Sequence, residues 1–114
     1  MANSPLSETE FGEVAAAELS LLRDALDLIA TGVEAELAGD ILSVEFDDDS
    51  VCVINSHTAA RQIWMAADRN AWHFDYIRDG GSWVASKSGD ELWGALQQVL
   101  QRRLGPTVSL VRKV

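Results

Sequence analysis

From Val33 onward the hydrophobic period of the chain changes from helical to two, and short turns interrupt it every six to ten residues. This constrains the fold more than any other feature. Val33, Ala35 and Leu37 alternate with Glu34 and Glu36, and Leu42, Val44 and Phe46 alternate with Ser43 and Glu45. Such alternation marks strands with one face in a core and one facing away from it. Ala38-Gly39-Asp40 between the two runs reads as a tight turn, so they form a hairpin. Asp47-Asp48-Asp49-Ser50 turns the chain into a third strand, Val51 to Asn55. A short loop around His57 and Thr58 precedes strands at Arg61 to Ala66 and Trp72 to Ile77, and Asp79-Gly80-Gly81 leads to the last, Ser82 to Ala85.

Amphipathic helices bracket the strands. The first reads from about Ser7 to Ala30: Ser7 and Glu10 have capping-box spacing, and Phe11, Ala15, Leu19, Leu22, Leu26 and Ile29 recur at helical intervals. Glu18 falls inside that apolar arc and reads as a side chain snorkelling past the helix edge. The second helix is expected over about 89–104. Ser88 to Glu91 has capping-box spacing, Leu92, Leu96, Val99 and Leu100 form the stripe, and Gly105-Pro106 stops it. A tail, 105–114, follows. The expected fold class is α+β, a two-layer α-β sandwich with both helices on one face of an antiparallel sheet of five to six strands. The 114 residues leave room for one domain, 1–114.

Charge is distributed unevenly. Residues 1–50 hold 13 of the 18 acids and one base, Arg23, for a net −12, whereas residues 51–114 hold five acids and eight bases, for a net +3. Phosphates would be repelled by the first half, which argues against nucleic acid as its partner and favours cations or a basic protein surface. No base precedes Arg23 and no apolar run reaches the roughly 18 residues of a membrane span, so neither a signal peptide nor a membrane partner is expected. The single Cys52 has no internal disulfide partner, and a reducing, cytoplasmic location is the expectation.

Enzymatic motifs are lacking: there is no phosphate-cradling Gly-rich loop, no G-x-S-x-G and no H-E-x-x-H. Cys52 alternates into the core beside Ile54, where a thiol is inert. His57 and His73 lack zinc-site spacing, and His73 belongs on the open face of its strand. The carboxylates are more informative. Asp24 and Asp27 share a helix face, Glu34 and Glu36 share a strand face, and the two pairs lie close in sequence. Oxygen-only clusters suit hard cations held loosely. On the open face, Gln62 and Trp64 alternate with inward Ile63 and Met65, and Asn55 shares their side. Trp64 is thus either an anchor for a partner or a ring shielded by its neighbours.

In order, an acidic N-terminal helix, Ile41 to Phe46, Val53-Ile54-Asn55, Gln62 to Ala67, Trp72 to Asp75, Trp83, Ser88 to Trp93 and Thr107 to Leu110 resemble the frataxin family, in particular its bacterial branch. The resemblance runs from Phe11 to Leu110. It implies a mainly monomeric, non-enzymatic protein that binds iron (Fe2+/Fe3+) weakly and reversibly and regulates iron–sulfur cluster assembly. Such a protein docks through an acidic ridge on the cysteine desulfurase and scaffold complex. An iron chaperone or store is the alternative, and a ferroxidase the least favoured one. Carried over residue by residue, the metal-binding ridge positions are Asp24, Asp27, Glu34 and Glu36, with Glu13 an outlying addition. The partner-binding positions on the sheet are Asn55, Gln62 and Trp64. Leu28, Ile29, Ala30 and Thr31 stand where relatives crowd acids, Arg23 where many are acidic, and Ser56 where a base is frequent. The ridge is therefore expected to be thinner here.

Overall fold

The computed structural model describes residues 6–29 and 31–112. The chain order is α1 (Glu8–Asp27), six strands β1 (Val33–Ala38), β2 (Ile41–Phe46), β3 (Val51–His57), β4 (Gln62–Ala67), β5 (Asn70–Ile77) and β6 (Ser82–Ala85), then α2 (Leu92–Leu104). The strands form one antiparallel meander, β1 to β6 in chain order. Both helices cover one face, as the alternation requires. Leu42, Val44, Cys52, Ile54, Ile63, Met65, Phe74 and Trp83 point beneath them and are buried. Phe11 meets Trp83 edge-on at 6.0 Å, joining the start of α1 to the far strand, while Leu22 and Leu26 continue the same stripe into the core. Each fully buried side chain of this size contributes about 1.5–3 kcal/mol, so this shared layer dominates the stability of the fold.

Several element ends differ from the sequence expectation. Ser7 is the N-cap of α1 rather than its first residue, and it forms the expected capping box with Glu10. The Ser7 backbone N–H, and then Arg78, hold the Glu10 carboxyl below its ordinary range. At the other end α1 stops at Asp27, because the amides of Leu28 and Ile29 bond back three residues to Ala25 and Leu26 and tighten the last turn. Ala30, the expected end, lies outside the described residues. Gly32 then takes φ +90°, a conformation that favours glycine, and a Cβ there would also press on Leu104 Cδ2 at 2.6 Å.

β4 starts at Gln62 instead of Arg61. Arg61 is left-handed (φ 54°) after a 3₁₀ turn, Thr58–Ala60, and its side chain donates to the Leu6 carbonyl at 3.0 Å and to the Thr58 carbonyl. β5 begins two residues earlier than expected, at Asn70. The second helix begins at Leu92, later than expected, and has no capping box at Ser88. Glu91 is the N-cap and accepts from the Gly94 amide at 3.2 Å, while the Ser88 hydroxyl accepts from the Asp90 amide.

Glu18 is the largest correction. It does not snorkel: it is only 4% exposed. Its carboxylate accepts from Trp93 Nε1 on α2 and from the Arg112 guanidinium on the tail, whose Nη2 lies 3.1 Å from Oε1. Arg112 also stacks over the Trp93 ring, 5.3 Å from its centroid. The C-terminal segment is consequently a docked strap. Leu110 is buried, its amide donates to Gln97 Oε1 at 2.9 Å, and the Gln101 side chain donates to the Val108 carbonyl. A buried carboxylate is costly unless paired, so α1, α2 and the strap are bound to one another through this residue.

Arg112→Ala, which strands Glu18 with only the indole N–H, is expected to lower stability by about 1–3 kcal/mol in urea unfolding, and more than Arg69→Asn at an exposed turn position.

Candidate acidic edge and open sheet face

The face of the sheet without helices is set by the registers. Gly39-Asp40 is a two-residue turn, so Glu34 lies opposite Glu45 and Glu36 opposite Ser43. Asp27 at the end of α1 lines the same groove as Glu34, Glu36 and Glu45, an open cleft of about 410 Å³ between the helix end and the β1–β2 hairpin. Like charges directly across a ladder destabilise it, so Glu34 and Glu45 are held together by the hairpin despite their repulsion.

The sequence-derived carboxylates do not all gather here. Asp27, Glu34 and Glu36 meet at the groove. Asp24 does not line it and is tied to Arg23, whose Nε lies 3.0 Å from Asp24 and 3.9 Å from Asp27. Arg23 thereby neutralises part of the helix's acidic face. Glu13 sits fourteen residues before Asp27, about 21 Å along the helix, beside Glu10, Tyr76 and Arg78. Among the described residues no cluster of three or more His, Cys, Asp or Glu side chains has an arrangement that would hold a metal ion. The groove offers a negative field and separate carboxylates rather than a closed coordination cage. Glu45 is the acid that residue spacing did not single out. Counting pairs back from the Gly39-Asp40 turn would have found it.

Further along the same face the rings of His57, Trp64 and His73 stack across three strands. Centroids are 4.0 Å apart for His57–Trp64 and 4.3 Å for Trp64–His73, with interplanar angles of 10° and 14°. Trp64 Nε1 donates to Gln62 Oε1 at 2.9 Å, and Gln62 Nε2 donates to Asp75 Oδ1 at 3.1 Å. Asn55 lies directly opposite Trp64, and Ile41, an exposed apolar residue, lies opposite Asn55. Asn55, Gln62 and Trp64 are thus brought together on one surface. Trp64 is half-buried, its ring faces covered by the two histidines, and presents an edge rather than a free face. Sequence alone assigned the flanking histidines no role; the cross-strand register of Trp64 with His73 is the signal that would have found one of them.

Cys52 lies fully within the core. Burial, and secondarily the negative charge of Asp68, push its thiol up to about 12. Among the described residues no helix is long and apolar enough to cross a membrane.

The family model of the frataxin-like domain matches residues 4–106. The chain belongs to the frataxin family. The iron-sulfur cluster assembly protein CyaY of Ralstonia nicotianae is 37% identical over 111 residues, covering 94% of this chain and 96% of that protein. CyaY of Vibrio vulnificus strain YJ016 is 30% identical over 103 residues, covering 90% and 97%. Among solved structures, the frataxin of Psychromonas ingrahamii superposes with a TM-score of 0.85 at 24% identity, covering 94% of this chain and all of that one. Trimeric frataxin from Saccharomyces cerevisiae, complexed with ferrous iron, shares the fold at a TM-score of 0.59 and 20% identity, covering 93% and 92%. The two-helix, six-strand order of this chain is the frataxin fold.

Two outcomes are expected. Glu45→Lys replaces the Glu34–Glu45 repulsion with attraction and raises stability by about 0.5 kcal/mol in urea unfolding. Cys52 resists iodoacetamide at pH 8 in the native protein and reacts only on unfolding. Because its native pKa lies above the unfolded value near 8.5, its contribution to stability is complete below that pH and is lost as pH rises towards 12.

Proposed function

We propose that this frataxin-family chain is a non-enzymatic regulator of iron–sulfur cluster assembly that docks on a cysteine desulfurase and scaffold complex in the cytoplasm. Its acidic groove would meet a basic surface of the desulfurase, and the Asn55–Gln62–Trp64 patch would meet the scaffold side. The observation that carries this reading is the continuity of one helix-free face. It runs from the carboxylates of Glu34, Glu36 and Glu45, with Asp27 of α1 at the rim of their groove, to the amide and ring cluster around Trp64. Charge at one end steers encounter, and a partly desolvated aromatic with amides at the other end fixes register.

Family membership and the names of the relatives support the assembly role. Iron in this role is cargo, held loosely. Hard ferrous or ferric ions favour carboxylate oxygens, and the groove supplies them from neighbouring strand positions without a cage. Arg23 weakens the helix side of that field, so Glu34, Glu36 and Glu45 are the main ligands in this proposal, Asp27 and Asp24 contribute less, and Glu13 is remote from them. A tightly held di-iron centre of the kind a ferroxidase needs has no support in this arrangement.

The triple variant Asp27→Lys/Glu34→Lys/Glu36→Lys is expected to lose at least about tenfold in affinity for a cysteine desulfurase by calorimetry at low salt. The wild-type affinity should itself fall steeply as salt rises. An unchanged affinity in the variant overturns the docking proposal.

A further inference from the structure

The opposite edge of the sheet has the opposite charge character and an incompletely paired strand. β6 is short and pairs only with Phe74–Ile77 of β5. Beyond it, the chain turns through residues 86–91, and an isolated bridge, Val84 with Glu91, closes that turn. The first half of β5, Asn70 to His73, is paired with β4 on one side, and among the described residues no strand pairs with its other side.

A groove of about 550 Å³ lies along this stretch, walled on the far side by Gln98 and Arg102 of α2 and at one end by Lys87 and Ser88. Asn70, Ala71, Trp72 and His73 all line it. Successive strand side chains point to opposite faces, so four consecutive residues border one groove only if it follows the backbone edge itself. Four strand residues span about 13 Å, enough to pair with four residues of an added strand.

The lining also selects for charge. Lys87 is exposed, and among the described residues no ion pair engages it. Arg102 pairs with Asp68, and Arg103 with both Asp68 and Asp48, so these guanidinium groups are matched by two acids and, among the described residues, the unpaired cations here are Lys87 and Arg69. Asp90, the acid that lines the groove, accepts from Trp72 Nε1 at 3.1 Å. Arg69, exposed and adjacent to Asn70, adds a further positive charge at this end.

We propose that the free edge of β5 at Asn70–His73 and its cationic groove bind an extended acidic peptide segment of a partner protein as a seventh strand. Main-chain hydrogen bonds would supply affinity, while Lys87 and Arg69 would select acidic side chains. The alternative role of Lys87, as a charge that guards an open edge against pairing, makes the opposite prediction for its reversal.

The test uses the full-length, isotope-labelled chain and a capped Glu-Val-Asp-Val-Glu peptide, followed by two-dimensional amide NMR. Saturable shifts are expected at the amides of Asn70–His73 and at Lys87, with half-saturation below about 1 mM. Lys87→Glu with Arg69→Glu is expected to weaken binding at least about fivefold while leaving the remaining spectrum folded. N-methylation of alternate peptide amides should abolish binding, and a Lys-Val-Lys-Val-Lys peptide should bind at least about fivefold more weakly than the acidic one. The proposal is overturned by no shifts up to about 5 mM peptide, by equal binding of the N-methylated or lysine peptide, or by unchanged or tighter binding to the Lys87→Glu/Arg69→Glu chain. Reversing charge at Asp27, Glu34 and Glu36, at the other edge, is expected to leave peptide binding intact. Its loss there would show that binding depends on the other edge and overturn the proposal.

Discussion

Side-chain alternation along six antiparallel strands sends one set of residues beneath two helices and the other set to a face that no helix covers. The covered set, from Leu42 and Val44 to Phe74 and Trp83, is apolar and buried. The uncovered set is where Glu34, Glu36, Glu45, Asn55, Gln62, Trp64, His57 and His73 lie. Slipping any register by one residue would exchange the two sets, so the same constraint that forms the core also positions the candidate docking surface. Stability and the proposed docking are therefore specified by one pattern but carried by different residues.

Two ionic arrangements complete this frame in different ways. Glu18 is buried and fully engaged, bound by the Trp93 indole and the Arg112 guanidinium, and it holds the C-terminal strap against both helices. Glu34 and Glu45 are exposed and face each other across the β1–β2 ladder. The first carboxylate serves the fold. The second pair costs stability locally, which is the usual mark of residues kept for an interaction outside the molecule. The sheet is also polar along its width, acidic at β1 and basic beside β5. A partner or partners would then meet surfaces of opposite charge at its two edges.

Much of this was legible in the sequence because period and turns were strong. The period-two runs marked all six strands, and the inward placement of Cys52 and Ile54 and the outward placement of Asn55, Gln62 and Trp64 followed from parity alone. What parity does not contain is contact between elements distant in the chain. Glu18 looked misplaced because its partners are 75 and 94 residues away. The His57–Trp64–His73 stack needed the registers of three strands. Helix ends were displaced where local chemistry competed: the α2 start moved to the Glu91 cap, and Arg61 was drawn out of its strand by bonds to Leu6 and Thr58. Residue type and spacing suggested that the carboxylate pairs share an edge, and Asp27, Glu34 and Glu36 line one groove. Type and spacing had no means of showing that Arg23 occupies Asp24 or that Glu13 lies at the other end of the helix.

Charge, register and the stacked rings converge on the helix-free face, from the acidic groove to Trp64, as the proposed working surface of this frataxin-family protein. The most direct test is amide NMR of the labelled chain with an unlabelled cysteine desulfurase and scaffold complex. Line broadening is expected to concentrate at Asp27, Glu34, Glu36, Glu45, Asn55, Gln62 and Trp64, with α2 residues such as Gln97 and Gln101 unaffected at the same stoichiometry. Broadening centred on α2, with the β1–β2 hairpin and Trp64 unchanged, would contradict that assignment.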